Sequence, residues 1–203
     1  MKIICIGRNY ADHIAELENE RPKDPVVFIK PDTTIGQSNT PFYIPDFSNE
    51  VHHEIELVIR INRIGKHIQE KFAHKYYNQI SVGIDFTARD LQAQLKAKGL
   101  PWEKAKSFDG ATVLGEWVSK DQFEDLQNLN FHLDKNGAPV QQGNSKFMLY
   151  TIDQLIAYVS TFFTLKIGDV LFTGTPAGVG AVSEDDLLEG YLEGQLLFRQ
   201  KVK

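Results

Sequence analysis

The stretch Val51–Ile61 carries two carboxylates inside an apolar run, and this feature constrains the fold more than any other part of the chain. Its β-branched and aliphatic residues predict a strand. Side chains two residues apart in a strand point to the same face, so Glu54 and Glu56 are expected side by side. Two like charges on an apolar face repel each other unless a positive group lies between them, and a divalent cation is the simplest candidate.

A third carboxylate is expected at the end of a second strand. The apolar run 80–84 predicts that strand, and Asp85 follows it directly. Three carboxylates without a thiol make a hard oxygen site, which suits Mg²⁺, Mn²⁺ or Ca²⁺ better than zinc and leaves positions open for water and substrate. The alternative is that Glu54 and Glu56 face solvent and pair with lysines, because exposed acidic residues are common. Spacing alone leaves both interpretations open.

A histidine and a glutamate on a predicted helix form a second candidate site. The apolar spacing within residues 10–19 predicts the helix, on which His13 and Glu16 are neighbours three residues apart. A neutral imidazole oriented by a carboxylate is a general base near neutral pH. The alternative is an exposed helical ion pair, which contributes only a few tenths of a kcal/mol.

Several cations form a third group around the next predicted helix. Thr87 and Asp90 have the spacing of a capping box, which predicts a helix that ends near Lys98. Arg89 would then lie in the first turn, where a cation opposes the helix dipole, and this unfavourable position indicates a role in binding a keto-acid carboxylate. Lys104 and Lys106 lie in the predicted loop 100–110. A solvated cation is the alternative for each, and the preferred one for Lys104.

The glycine-rich segment Thr173–Gly180 is a fourth candidate, because glycines let backbone N–H groups approach an anion closely. The segment is not a P-loop, since no Gly-Lys-Ser/Thr follows it. An ordinary connecting loop is the alternative interpretation.

The remaining pattern predicts a mainly β protein of the α+β class. Strands are expected at residues 2–6, 26–29, 170–172 and 195–202, and a hairpin at 129–143 turns at Asn136-Gly137. Thr151-x-x-Gln154 opens a capped helix, residues 65–77 hold a turn and a short helix, and residues 32–50 are irregular. Because strands do not alternate regularly with helices, we expect a β core with a few peripheral helices and not a doubly wound sheet.

Composition excludes several classes of protein. A chain of 203 residues with 42% hydrophobic residues suits a single domain, residues 1–203. The net charge of −5 and the absence of a basic run argue against nucleic acid or a membrane as partner. Cys5 is the single cysteine, so neither an internal disulfide nor a cysteine zinc site is expected. The first apolar run is too short for a signal peptide and no stretch is long enough to cross a membrane, so we expect a cytoplasmic protein.

Six segments, taken together and in order, resemble the fumarylacetoacetate hydrolase family, and most closely its short acylpyruvate hydrolase and oxaloacetate decarboxylase members. They are Gly7–His13, Phe28–Pro31, His53–Leu57, Asp85–Gln92, Lys98–Phe108 and Phe172–Gly180. The resemblance covers nearly the whole chain, and it is far more specific for the family than for the substrate.

The resemblance implies a mixed β-roll, a homodimer and a mobile N-terminal lid over residues 8–24. It also implies that Mg²⁺ or Mn²⁺ is held by Glu54, Glu56 and Asp85. The proposed catalytic groups are His13 and Glu16, which would activate water, and Lys106. The proposed substrate-binding groups are Arg89, Gln92 and Thr175. Larger family members have a further acidic ligand where this chain reads Gly7-Arg8-Asn9, so no fourth protein ligand is expected.

The expected activity is Mg²⁺-dependent cleavage of a C–C bond in a small 2-oxo acid. The substrate would be an acylpyruvate that is hydrolysed, such as fumarylpyruvate or acetylpyruvate, or oxaloacetate that is decarboxylated. One alternative is isomerisation of 2-hydroxyhepta-2,4-diene-1,7-dioate, and another is a non-catalytic, metal-containing binding protein on the same scaffold. Specificity is expected to come from residues 14–24 and 32–44, and the sequence does not identify the acyl group.

Overall fold

The fold is seen in a computed structural model, which describes residues 1–16, 20–37 and 40–203. Strands and helices follow one another in the order that the sequence predicted for its main segments. The strands run over Lys2–Gly7 (β1), Val26–Pro31 (β2), Val51–His53 (β3), Ile55–Ile61 (β4), Tyr77–Asp85 (β5), Thr87–Ala88 (β6), Thr112–Leu114 (β7), Val118–Ser119 (β8), Asn130–Lys135 (β9), Ala138–Asn144 (β10), Val170–Phe172 (β11), Gly180–Ala181 (β12), Leu187–Leu192 (β13) and Gln195–Lys201 (β14). The helices span Ala11–Glu16 (α1), Glu70–Ala73 (α2), Arg89–Ala97 (α3), Glu103–Lys106 (α4) and Ile152–Phe162 (α5).

A mixed sheet in the order β2-β1-β11-β4-β5-β7 forms the centre of the molecule, and β8 continues along the edge of β5 beyond β7. β1 and β11 are parallel, whereas the other neighbours are antiparallel. Smaller sheets in the orders β10-β9-β13-β14 and β12-β3-β6 pack around it. The architecture confirms the prediction of a mainly β, mixed roll with a few peripheral helices.

The predicted strand 51–61 is two strands, and this corrects the expectation of one continuous element. Glu54 separates β3 from β4. β3 pairs with β6 and β12, whereas β4 belongs to the central sheet. At the break, the backbone N–H of Ile55 donates to the side chain of Gln141 at 3.1 Å and not to a neighbouring strand. The chain therefore changes sheets at the first of the two predicted ligands.

Helix α3 begins without the predicted capping box. Thr87 belongs to β6, so the helix begins at Arg89 with Ala88 as its N-cap residue, and the Thr87 hydroxyl accepts from Lys106 Nζ at 2.6 Å. The Asp90 carboxylate instead accepts from Ser48 Oγ at 2.6 Å and from the Asn49 N–H at 3.0 Å. The predicted local cap was wrong because β6 continues through Ala88 and because Lys106, 19 residues away in sequence, engages the Thr87 hydroxyl.

Two other local predictions are confirmed. Asn136 and Gly137 both have positive φ, 56° and 80°, and they join β9 to β10 as the hairpin rule requires. Thr151 and Gln154 form both hydrogen bonds of a capping box at the start of α5.

The predicted loop 100–110, by contrast, contains the short helix α4, which carries Lys106. The predicted helix 10–19 is observed as α1, and its residues 17–19 lie outside the described residues.

The core lies against both faces of β4, which explains its nearly unbroken apolar sequence. Leu57 and Ile59 join the large core, whereas Val58 packs on the opposite face with Cys5 and Phe172. Cys5 is buried, as predicted. Within the described residues, no helix is long and apolar enough to span a membrane.

Candidate active site

The three predicted metal ligands meet at one end of the central sheet. β4 and β5 are antiparallel with Glu56 opposite Gly83, so the start of β4 lies beside the end of β5 at Asp85. One carboxylate oxygen from each of Glu54, Glu56 and Asp85 lies within 4.8 Å of the others. All three side chains are buried, with residue exposures of 5%, 2% and 1%. The alternative that the glutamates face solvent is therefore wrong.

Two buried lysines compensate the charge of these carboxylates. Lys106 Nζ donates to Glu54 Oε2 and Asp85 Oδ2, both at 2.8 Å, and to Thr87 Oγ1 at 2.6 Å. Lys30 Nζ donates to Asp85 Oδ1 at 2.6 Å and to the Ala111 carbonyl at 2.7 Å. Lys30 is completely buried and was not among the predicted site residues. The signal that could have identified it is a lysine within the apolar run of β2.

The charges of the cluster shift its pKa values in opposite directions. Burial alone would raise the pKa of Glu54, but Lys106 and Arg89 lower it below its usual range. Burial would lower the pKa of Lys106, but Asp85 and Glu54 raise it, so the ammonium stays charged. Burial, reinforced by Asp85 and Glu54, raises the pKa of Glu56 well above its ordinary value.

This donor set fits a hard divalent cation. Three convergent carboxylates supply oxygen ligands. A cation beside Glu56 would counteract the burial and the repulsion that raise the pKa of this carboxyl. Glu54, Glu56 and Asp85 are the residues that would hold the ion. The described residues contain one such grouping of three acidic, histidine or cysteine side chains.

Arg89 is the first residue of helix α3, and its side chain reaches the acidic cluster. Its guanidinium contacts Glu54 and donates to Gln92 Oε1 at 2.7 Å and to His52 Nδ1 at 3.3 Å. Gln92 and Lys96 follow on the same helical face, three and seven residues along, and both line the cavity beside the carboxylates. The predicted substrate-binding pair Arg89 and Gln92 is therefore pre-oriented by a direct hydrogen bond.

His13 and Glu16 form the predicted dyad, with His13 Nδ1 3.1 Å from Glu16 Oε2. His13 is buried and lines the cavity. Glu16 does not line the cavity and is linked to it by its hydrogen bond to His13. The other oxygen of Glu16 accepts from the backbone N–H of Gly178 at 2.9 Å. The dyad is thus anchored to the glycine-rich segment, 162 residues away in sequence.

The glycine-rich segment does hold anions through its backbone, and in this structure those anions are side chains of the protein. Gly174 N–H donates to Glu56 Oε2 at 2.6 Å, as Gly178 does to Glu16. Gly174 has φ = 104°, and a Cβ there would lie 2.7 Å from Asn9 Cβ, so only glycine fits without strain.

Two buried amides that the sequence reasoning missed support these loops. Gln141 accepts from Ile55 N–H and donates to Thr175 Oγ1 at 3.0 Å, and Thr175 Oγ1 donates to the Ile55 carbonyl at 2.8 Å. Asn9 donates to the Thr173 carbonyl at 2.8 Å and to the Tyr150 carbonyl at 3.1 Å. The partners of Asn9 lie 141 and 164 residues away and those of Gln141 lie 86 and 34 residues away, so no local sequence pattern could have identified these contacts.

A cavity of about 50 Å³ opens among these groups. The predicted residues that line it are His13, Glu54, Glu56, Asp85, Arg89, Gln92, Lys106 and Thr175. Residues that were not predicted complete the wall, namely Ile6, Gly7, Arg8, Phe28, Lys96 and Trp102. Lys104, for which a solvated position was preferred, is exposed.

Fold and site together define a class: a mainly β scaffold with three buried carboxylates suited to a hard cation. The family model described as fumarylacetoacetate (FAA) hydrolase C-terminal matches residues 2–202. The chain therefore belongs to the fumarylacetoacetate hydrolase family, as the sequence resemblance predicted.

Two curated relatives align with nearly the whole chain. Oxaloacetate tautomerase YcgM of Escherichia coli is 42% identical over 97% of this chain and 90% of the relative. The mitochondrial oxaloacetate decarboxylase of Dictyostelium discoideum is 38% identical over 95% of this chain and 89% of the relative.

A solved structure agrees with the fold. Fumarylpyruvate hydrolase from Pseudomonas aeruginosa, crystallised with Mn²⁺ and pyruvate, superposes with a TM-score of 0.93 at 31% identity. The superposition covers 100% of this chain and 89% of that structure.

Proposed function

We propose that the protein is a divalent-metal-dependent enzyme that acts on oxaloacetate, catalysing its tautomerisation and decarboxylation. The observation that carries this proposal is the convergence of three buried carboxylates with Lys106 in a cavity that His13 also lines. The names of the two curated relatives, one a tautomerase and one a decarboxylase, support it.

A divalent cation held by Glu54, Glu56 and Asp85 would supply Lewis-acid stabilisation of the negative charge that develops on a 2-oxo acid. Mg²⁺ and Mn²⁺ are the proposed ions, and Ca²⁺ has the ligand preference to replace them. The protein's own groups do the rest. Arg89 and Gln92 would orient the substrate carboxylate, with Thr175 beside them. Lys106 would stabilise the enolate oxygen through its positive charge, because this lysine lines the cavity.

His13 is the proposed proton carrier. In the tautomerase reaction its imidazole would take a proton from C3 of oxaloacetate as a base, and a proton is then delivered to the C2 oxygen. In the decarboxylase reaction the bond from C3 to the departing carboxylate breaks, its electrons move to the C2 oxygen, and the resulting enolate is protonated at C3. Tautomerisation passes through the enolate of oxaloacetate and decarboxylation through the enolate of pyruvate. Both enolates carry their negative charge on the C2 oxygen, so one site can serve both reactions.

The charge around the cavity favours a substrate with two carboxylates. Arg8, Arg89 and Lys96 all line the cavity. Burial, followed by the charges of Arg8 and Arg89, lowers the pKa of Lys96. A group of neighbouring cations attracts an anionic ligand. Oxaloacetate, with two carboxylates, matches this better than an acylpyruvate with a neutral acyl end.

Acylpyruvate hydrolysis is the second candidate, and the His13–Glu16 dyad favours it. A histidine oriented by a carboxylate is suited to activating water, and the tautomerase reaction needs no water. The name of the Pseudomonas relative supports this reaction. Isomerisation of a dienedioate and non-catalytic binding remain the other outcomes of the test.

A homodimer and an N-terminal lid over residues 8–24 are also part of the proposal.

A substrate panel with Mg²⁺ tests the proposal. Oxaloacetate, acetylpyruvate, fumarylpyruvate and 2-hydroxyhepta-2,4-diene-1,7-dioate would be compared by kcat/KM, and oxaloacetate is expected to give the highest value. His13→Ala should abolish hydrolysis of either acylpyruvate and reduce decarboxylation less, because decarboxylation needs no attacking water. Equal loss of both reactions would contradict this division.

The metal assignment has its own control. Glu54→Ala should lower Mg²⁺-dependent turnover at least a hundredfold, whereas the exposed Glu103→Ala, on helix α4, should not. A folded Glu54→Ala protein with full turnover would refute the metal site. Absence of turnover on every substrate, with metal bound, would identify a binding protein instead.

A further inference from the structure

Two aromatic rings separate the candidate active site from a second cavity. Phe28 and Trp102 pack edge to face, with ring centroids 6.0 Å apart and planes at 63°. Both side chains line the active-site cavity, and both also line the second cavity on the other side. Each residue is half-buried, and among the described residues no other lines both cavities, so the pair forms the partition between them.

The second cavity is larger and more apolar than the first. Its volume is about 280 Å³, compared with about 50 Å³ for the active-site cavity. The edge strand β2 forms one wall and the segment before α4 forms the other. The lining residues are Val26, Val27, Phe28, Ile29, Leu100, Pro101, Trp102, Glu103 and Ser107. An alkyl chain is the chemistry that such a surface binds.

The partition is held in place by the elements that carry the site. The Trp102 carbonyl accepts from the backbone N–H groups of Ala105 and Lys106, at 2.8 and 3.0 Å. The indole packs against the small apolar cluster under helices α3 and α4. On the other side, the Lys106 ammonium lies 5.4 Å from the centroid of the Phe28 ring. The partition therefore meets the active-site cavity next to the proposed catalytic lysine.

We propose that Trp102, together with Phe28, sets the maximum length of the 2-oxo acid that this enzyme binds. The rings close the active-site cavity on this side and exclude longer alkyl chains from the apolar cavity behind them. Removal of the indole joins the two cavities and makes the apolar one available to the chain of the ligand. The proposal rests on the proposed function, since it requires a 2-oxo acid in the first cavity.

A homologous series of ligands tests this without turnover. Pyruvate, 2-oxobutanoate, 2-oxohexanoate and 2-oxooctanoate would be titrated calorimetrically into the Mg²⁺-loaded protein. In the wild type, Kd is expected to stay level or rise beyond four carbons. In Trp102→Ala, each added methylene should tighten binding about fourfold until the second cavity is filled, because each one leaves water for an apolar surface. Trp102→Leu is the variant to use if the alanine variant does not fold, with a smaller gain per methylene.

Trp117→Ala is the matched control, because this second half-buried tryptophan stacks on Arg60 and lines neither cavity. In this control variant, Kd should depend on chain length as it does in the wild type. An unchanged dependence in both Trp102 variants would overturn the partition while leaving the proposed function intact. Failure of wild-type protein to bind pyruvate with Mg²⁺ would instead overturn the proposed function. A wild-type protein that already gains affinity with chain length would show that the partition does not limit the length of the ligand.

Discussion

Lys106 is the cation that bridges two members of the acidic cluster, whereas Lys30 and Arg89 each contact one of them. Its three hydrogen bonds go to two proposed metal ligands and to Thr87. The same position suits a group that stabilises an enolate, so stability and catalysis depend on one charge. Removing one partner of a buried ion pair leaves the other charge without compensation, which typically costs about 3–5 kcal/mol.

Lys106→Met should therefore destabilise the metal-free protein by roughly 3 kcal/mol. Urea unfolding in EDTA measures the loss, and added Mg²⁺ should recover part of it by restoring positive charge beside Glu54 and Asp85. Lys104→Met is the matched control, since Lys104 is an exposed lysine on the same short helix. Equal free energies of unfolding for the two variants would show that Lys106 does not compensate the cluster.

At the scale of elements, the parallel pair β1 and β11 positions the N-terminal part of the site. β1 ends at Gly7, and the turn that follows carries Arg8 and leads to His13 on α1. Asp169 anchors the start of both strands. Its carboxylate accepts from the Lys2 backbone N–H at 2.9 Å and from the Lys166 N–H at 2.8 Å, and it contacts the Lys2 ammonium.

The pH dependence of stability should report this anchor. Burial would raise the pKa of Asp169, but hydrogen bonds from Lys2 and Lys166 lower it below its ordinary value. A carboxyl whose pKa is lowered by folding stabilises the protein above its unfolded pKa of about 3.9, and this contribution is lost as the pH falls through the folded pKa.

Asp169→Asn should therefore lose about 1–3 kcal/mol at pH 7, and the difference from the wild type should shrink below about pH 4. Urea unfolding at several pH values measures it. Asp185→Asn is the control, because Asp185 pairs with Lys203 at an exposed position and should change stability little. A pH-independent effect of Asp169→Asn would indicate that geometry and not charge forms the anchor.

At the scale of the whole molecule, the site joins segments from the entire chain. β1, α1, β4, β5, α3, α4 and the loop after β11 each contribute a lining residue or a supporting contact. A cation that binds the folded state alone should therefore stabilise the whole domain and not one part of it.

Mg²⁺ at a hundred times its Kd should add about 2.7 kcal/mol to the free energy of unfolding. For a domain of this size that raises Tm by about 5–10 °C relative to protein in EDTA. Calorimetry should show one cooperative transition that moves as a unit. The control is NaCl at equal ionic strength, which should not reproduce the shift. A Tm that is insensitive to Mg²⁺ would contradict the metal site.

Local rules explain what the sequence determined by itself. The Asn136-Gly137 turn and the Thr151 cap depend on the backbone preferences and hydrogen bonds of a few adjacent residues, so their structures follow from their own sequence. Strand periodicity predicted that Glu54 and Glu56 lie side by side, and the family resemblance implied that Asp85 joins them as a third ligand. The ordered motifs determined the family.

Tertiary structure alone decided how those local elements were used. Gln141 holds the strand break beside Glu54 from 86 residues away, and Lys106 engages the Thr87 hydroxyl that was predicted to cap a helix. Lys30 reaches Asp85 across 55 residues. The physical reason is that the cost of burying a charge or a backbone N–H is met by whichever partner the fold brings near. Strand periodicity could therefore predict that Glu54 and Glu56 lie together, and only the folded chain shows what stabilises them.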